Sequence, residues 1–181
     1  AFSFLYPHIV NDWKDQGAEV SFFSPLADEG PDSLSNAVFL PGGYPELHAE
    51  KLANAESFKS GMRNAQNENV LIYGECGGYM VMGEALIDQD GKSHAMCGLL
   101  KLETSFEKRV LHLGYRKLRA KTFPLGEKLS GHEFHYTSAI REAGKPLFEV
   151  SNALDKSLGF TGLRNGNVMG SYMHVIDRER L

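Results

Sequence analysis

The chain has little cysteine: only Cys76 and Cys97 occur among its 181 residues. Two are too few for a disulfide framework, and one sits in a motif that needs a free thiol, so a reducing, cytoplasmic setting is expected. Positive charge is not in excess either, since 19 Lys and Arg stand against 23 Asp and Glu, a net charge of -4. No Lys/Arg-rich run occurs, which argues against a nucleic-acid surface. No apolar stretch approaches the length of a transmembrane helix and no signal peptide is seen, so no membrane partner is expected. A GxxxxGK[ST] run is missing, and with it a phosphate-cradling loop. Also missing are an internal repeat, a low-complexity segment and an initiator methionine; the chain opens directly at Ala1 and reads as a piece of something longer. The remaining composition, 42% hydrophobic and 23% charged, is ordinary for a globular protein. Residues 1–181 are expected to form one domain with a real core.

The stretch that organises the rest is VLIYGECGGYMVMGE, residues 70–84. Residues 70–73 are uncharged β-formers, as in a strand covered on both faces. Gly74, Gly77 and Gly78 then surround Cys76 before an apolar, helix-compatible run. Strand, tight turn and helix follow one another as in a nucleophile elbow, with a thiol in place of the usual hydroxyl. Unpaired amides and the positive dipole end of the following helix would lower the thiol's pKa and make Cys76 a nucleophile. The plainer alternative is a buried structural cysteine at the end of a core strand.

Periodicity predicts a helix over residues 7–16, strands at 18–23 and 37–40, and a long helix over 46–66. Beyond the elbow, strands are expected at 86–87, 98–106, 110–120, 129–140, 157–163 and 167–172, with turns at Asp90-Gly91 and Arg164-Asn165-Gly166. The charged tail from residue 174 reads as a short helix. Helices alternating with strands first and hairpins afterwards imply an α/β fold, a mostly parallel doubly wound sheet with added antiparallel strands. Such a sheet normally begins with a strand, which is expected to be missing here. Ligands would bind beyond the carboxyl ends of the strands, where Gly42, Gly43 and Cys76 arrive together.

A thiol nucleophile needs a base and an oxyanion site. Amides at Gly43 and Gly77 could supply the latter, although Gly42 and Gly43 could equally form an ordinary turn. Among the seven histidines, His174 is the best placed base, delivered by GSYMH at the end of a strand. His132, Glu133 and His135 do not have zinc spacing: their histidines are three apart in a strand-like segment, so the two face opposite sides. No metal is expected. Glu133 and His135 share a face and could bind a polar substrate or a neighbouring domain. Cys97 reads as a core residue, and Arg116 as an exposed strand arginine or an anion contact.

Five ordered motifs, PGGYPE (41–46), GECGGYMVMGE (74–84), LGYRK (113–117), GHEFHYTS (131–138) and GSYMH (170–174), resemble the C-terminal glutamine amidotransferase domain of cobyrinic acid a,c-diamide synthases. The resemblance covers nearly the whole chain and implies a class I glutaminase-like, flavodoxin-like three-layer sandwich. By that resemblance Cys76 attacks the amide of glutamine to form a thioester and His174 relays the proton to departing ammonia. The backbone at Gly43 and Gly77 holds the oxyanion, with Gly42, Glu46, Glu133 and His135 available for substrate or interface. It implies no cofactor here. An N-terminal synthetase domain of the same polypeptide would use ATP and Mg²⁺ to activate the a and c carboxylates of a corrinoid. Two departures stand out: Met80 and Ile176 occupy positions where many class I glutaminases carry glutamine and glutamate. Met80 resembles the diamide synthases, whereas cobyric acid synthases look more like GICGGYQ. With Ile176 in place, either a Cys-His pair suffices or another carboxylate, such as Glu103 or Asp177, orients His174. A different amide acceptor, such as another corrin carboxylate or a cell-wall lipid intermediate, and a silent regulatory module are the competing readings.

Overall fold

The computed structural model describes residues 1–120, 124 and 126–179. Helix α1 (Pro7–Asp15) starts with proline in its first turn, where the missing N–H costs nothing, and it is followed by Gly17 at φ +90°. The strand expected over 18–23 does not form. Those residues are largely exposed and join no ladder, because β-forming side chains make a strand only where a partner edge accepts the backbone.

Strand β1 (Ala37–Leu40) runs into the PGG loop. The long helix expected over 46–66 is divided into a 3-10 turn (Pro45–His48), α2 (Ala49–Ala53) and α3 (Glu56–Asn67). Asn54 ends α2, and Ala55, at φ -81° and ψ 79°, leaves the helical region before α3 restarts. Phe58, Met62 and Ala65 give α3 an apolar stripe at helical spacing. Phe58 and Met62 are fully buried, each contributing about 1.5–3 kcal/mol of transfer free energy. Strand β2 (Leu71–Glu75) leads through Cys76 into α4 (Gly77–Met82), every residue of which is buried.

The second half is built of strands. They are β3 (Ala85–Ile87), β4 (Ser93–Ala95), β5 (Leu102–Ser105), β6 (His112–Arg119), β7 (Lys128–His135) and β8 (Ser138–Glu142). Then follow β9 (Lys145–Asn152), β10 (Ser157–Asn165), β11 (Val168–Ser171) and β12 (Met173–Arg178). Among the described residues they form an eight-stranded sheet ordered β1-β2-β11-β10-β9-β6-β7-β12 and a four-stranded sheet ordered β4-β3-β5-β8. The α/β class stands, but the balance of pairing differs from a mostly parallel sheet. Among the described residues only β1·β2, β2·β11 and β3·β5 are parallel, and antiparallel pairs supply the rest.

Two further expectations are corrected. The alternating stretch 129–140 is two strands, β7 and β8, which leave Tyr136 and Thr137 for different sheets. The tail is not a helix: β12 pairs antiparallel with β7, placing His174 opposite His132, while residues 180 and 181 lie outside the described residues. His174 therefore lies inside a strand rather than at the end of the preceding one.

This topology gathers the site. The carboxyl ends of β1, β2 and β11 are in register, Leu40 with Gly74 and Gly74 with Gly170. The PGG loop, the cysteine turn and the corner at Tyr172 consequently open at one sheet edge. Gly78 permits the approach of the cysteine turn to β1, since a Cβ there would stand 2.1 Å from the carbonyl oxygen of Leu40.

Candidate active site

Cys76 occupies φ 47° and ψ -106°, a conformation that a residue with a Cβ holds only at a cost of about 1–3 kcal/mol. Its N–H donates to Ser171 O at 2.9 Å, and its carbonyl accepts from Met80 N at 3.0 Å, so both flanking elements hold the strained turn. The expected elbow is therefore present. The amides of Gly77 and Gly43 stand beside the sulfur and favour its ionised form, while Sγ–H points to Phe134 O at 3.7 Å. The expected depression of the thiol pKa is not found. Burial pushes it up to about 12, the carboxylates of Glu46 and Glu75 add to the rise, and the two amides offset only part of it. Desolvation outweighs the dipole of a six-residue helix at a thiol that is only 5% exposed.

Cys76 and His174 line the same cleft, together with Gly43, Glu46, Met80 and His135. His174 is buried, stacked on His132 with ring centroids 4.6 Å apart, and met edge-on by Phe4 at 4.8 Å. Burial, and then the neighbouring His132 and His135, lower its pKa to about 3, leaving a neutral imidazole able to accept a proton. Glu46 enters the cleft in the 3-10 turn after the PGG loop, and burial holds its carboxyl above the usual range.

Neither carboxylate offered by the sequence is engaged with His174. Glu103 pairs with Arg141 at 3.1 Å, and Asp177 accepts the Arg178 amide at 2.8 Å. The carboxylate beside the imidazole is Glu75, the residue before the cysteine, with Oε2 3.8 Å from His174 Nδ1. Sequence reasoning passed over it. The available signal was a lone acid at the buried end of an otherwise uncharged strand, in GECGG.

Glu133 and His135 do share a face, with His135 Nε2 2.9 Å from Glu133 Oε1. Arg116 is no exposed strand arginine: it grips Glu133 Oε2 from Nε at 2.9 Å and from Nη2 at 2.7 Å. Burial works against ionisation of Glu133, but His135 and Arg116 together hold its carboxyl below the usual range. Donor atoms of His112, Glu133 and His135 lie within 4.8 Å of one another, a grouping invisible to spacing because His112 comes from β6. Since Arg116 occupies one Glu133 oxygen and His135 Nδ1 faces Thr137 O at 2.9 Å, the cluster is organised as an ion-paired chain. Cys97 lies in the hydrophobic core, as expected.

A cysteine elbow at the edge of an α/β sheet, with a buried imidazole lining the same cleft, is the arrangement of thiol-dependent amide-cleaving domains. Within that class, residues 6–180 match the CobB/CobQ-like glutamine amidotransferase domain family, and the chain belongs to it. It is 55% identical over 180 residues to the hydrogenobyrinate a,c-diamide synthase of Brucella anthropi, covering 98% of this chain and 41% of that protein. The enzyme of the same name from Rhodobacter capsulatus is 48% identical over 180 residues, covering 97% of this chain and 41% of its own length. The chain thus spans about two fifths of these curated relatives. A glutamine amidotransferase structure from Thermotoga maritima is similar in fold, with TM-score 0.59 and 12% identity over 92% of this chain and 68% of that one. A second glutamine amidotransferase structure gives TM-score 0.52 at 17% identity, covering 77% and 70%.

Proposed function

We propose that this chain is the glutaminase part of an ATP-dependent a,c-diamide synthase of cobalamin biosynthesis, hydrolysing glutamine to supply ammonia for the a and c carboxylates of a corrinoid. The observation that carries the reading is the convergence of the Gly43 and Gly77 amides on a cysteine in an elbow. A group held there would have its developing oxyanion met by preorganised donors.

Because the thiol is protonated at rest and His174 is neutral, the first step is a proton transfer from Sγ to the imidazole as sulfur bonds to the amide carbon. The C=O electron pair moves onto oxygen and is held by the two amides. Collapse of this adduct breaks the C–N bond, the imidazolium returns its proton to the departing nitrogen, and ammonia leaves a thioester. Water, deprotonated by the same imidazole, releases glutamate and restores the thiol.

The ATP- and Mg²⁺-dependent activation of the corrinoid carboxylates is assigned to an N-terminal synthetase domain of the same polypeptide, a reading supported by the greater length of the relatives. An electrophilic glutamine analogue tests the reading on the full-length enzyme. Covalent capture at Cys76, abolished in Cys76→Ser, is expected. Absence of capture in the complete enzyme would instead identify a silent regulatory module.

A further inference from the structure

We propose that Glu75 is the positioning residue for His174, holding Nδ1 so that Nε2 faces the thiol and stabilising the imidazolium that forms when the thiol gives up its proton. The proposal rests on the glutaminase reading above and assigns the role left open by Glu103 and Asp177.

Glu75 is the last residue of β2 and is paired with Ser171, the last residue of β11. The chain turns at Tyr172 and returns as β12, which brings the strand bearing His174 alongside the Glu75 carboxyl. The attachment is direct: Val175 N, next to His174, donates to Glu75 Oε1 at 3.0 Å. Tyr73 Oη donates to the same oxygen at 3.1 Å. With Oε1 held twice, Oε2 is the oxygen turned to the imidazole.

On the other side of this 3.8 Å gap, His174 Nδ1 is buried and finds no hydrogen-bond partner among the described residues. A buried ring nitrogen without a partner is uncommon and costly, and Glu75 Oε2 is placed to take that role. A small rotation of the ring, or of the carboxyl about its held oxygen, closes the distance to that of a hydrogen bond. The charge change of the reaction supplies the pull. Before proton transfer, burial keeps the imidazole uncharged and pushes the Glu75 carboxyl up to about 8. In the form with Glu75 ionised, Nδ1–H donates to Oε2 and leaves Nε2 free; S–H is then broken, Nε2–H is formed, and the positive ring stands beside a carboxylate that neither gains nor loses a proton. Because carboxyl and ring are both buried, their attraction is weakly screened.

The other titratable groups facing His174 are His132 of β7, stacked on it, His135 at the end of the same strand, and Cys76 across the cleft. Neither neighbouring histidine supplies a negative charge. Of the other nearby acids, Glu133 is committed to Arg116 and His135, and Glu46, which lines the cleft from the 3-10 turn, makes no ion pair with His174 among the described residues. Glu75 is thus the carboxylate available for this work.

The test uses the full-length enzyme and two variants, Glu75→Gln and Glu75→Asp, each checked for an unchanged thermal transition at pH 6. Glu75→Gln keeps an oxygen for Val175 N but presents an amide nitrogen to Nδ1, which reverses the tautomer; an unfavourable tautomer of this kind costs about 10² to 10⁴ in rate. We expect kcat for glutamine hydrolysis to fall by about 10²-fold or more, with KM changed less than threefold. The pH profile of kcat should lose one ionisation. Glu75→Asp should keep that ionisation and recover part of the rate. A kcat for Glu75→Gln within threefold of wild type would overturn the proposal, as would a reduced kcat with an unchanged pH profile or a loss confined to KM. Capture of wild-type Cys76 by the glutamine analogue is independent of these results, so failure of the glutaminase reading is distinguishable from failure of this one.

Discussion

Gly42 and His174 are packed so closely that a Cβ on Gly42 would stand 2.3 Å from the imidazole Cε1. The PGG loop therefore does more than present the Gly43 amide to the sulfur. Its preceding glycine forms the wall against which the proposed base is set.

Gly42→Ala is expected to push the ring out of its place. Overpacking of this kind costs about 1–3 kcal/mol in stability. The larger effect should fall on catalysis, where kcat for glutamine hydrolysis drops by about 10²-fold, the penalty typical of a misplaced reacting group. Steady-state kinetics alongside a thermal melt would check both, and a wild-type kcat would show that the ring can move without consequence.

His174→Ala is expected to lower glutamine hydrolysis by about 10² to 10⁴, the usual contribution of a general acid–base group. The fold should survive, since β12 is held to β7 through its backbone and Val175 remains bound to Glu75. Circular dichroism matching the wild type, with near-normal turnover, would remove His174 from the reaction.

Stability should depend on pH in two opposite ways. The folded Glu75 carboxyl is raised from 4.5 to about 8, so the folded state binds its proton more tightly than the unfolded chain does. Its contribution is complete below pH 4.5 and is lost as pH rises through 8. His174 is lowered from 6.5 to about 3, so its contribution is present above pH 6.5 and lost as pH falls toward 3. Urea midpoints measured from pH 3 to pH 9 should rise and then decline. Glu75→Gln should flatten the alkaline limb and His174→Phe the acid one.

Arg116 and Glu133 should behave as a coupled pair. Each side chain is 14% exposed, and removal of one partner from a buried pair costs about 3–5 kcal/mol because the other charge is stranded. Arg116→Ala should therefore destabilise strongly, while Arg116→Ala with Glu133→Ala should cost less than the sum of the single changes. With its chemistry built elsewhere, the site should still be captured by a glutamine analogue, and substitution of Glu133 or His135 should disturb coupling to the synthetase, read as glutamine-dependent amidation by the full-length enzyme, more than glutamine hydrolysis. A selective loss of hydrolysis would place this chain of charges in the reaction itself.

Local chemistry was legible wherever neighbours in sequence decide it. The glycine frame of Cys76 specified a strained turn that forms at φ 47°. Pro7 and Gly17 bracketed the first helix, and the Asp90-Gly91 turn joins β3 to β4 as its residue types require. Alternation correctly put Glu133 and His135 on one face. By contrast, residues 18–23 have strand composition but join no ladder, and the tail has helix-like charge but pairs with β7. In both cases the availability of an edge outweighed propensity.

The amino-acid order by itself determined that a lone thiol would sit on a glycine-framed strand-to-helix turn and that a histidine from GSYMH would follow far downstream, because both depend on residue type and short-range backbone freedom. Only the tertiary structure decided which carboxylate stands beside that histidine, that His112 joins Glu133, and that the thiol is held protonated at rest. These depend on strand register and on the removal of water from the finished interior, and neither is written in any local window of the chain.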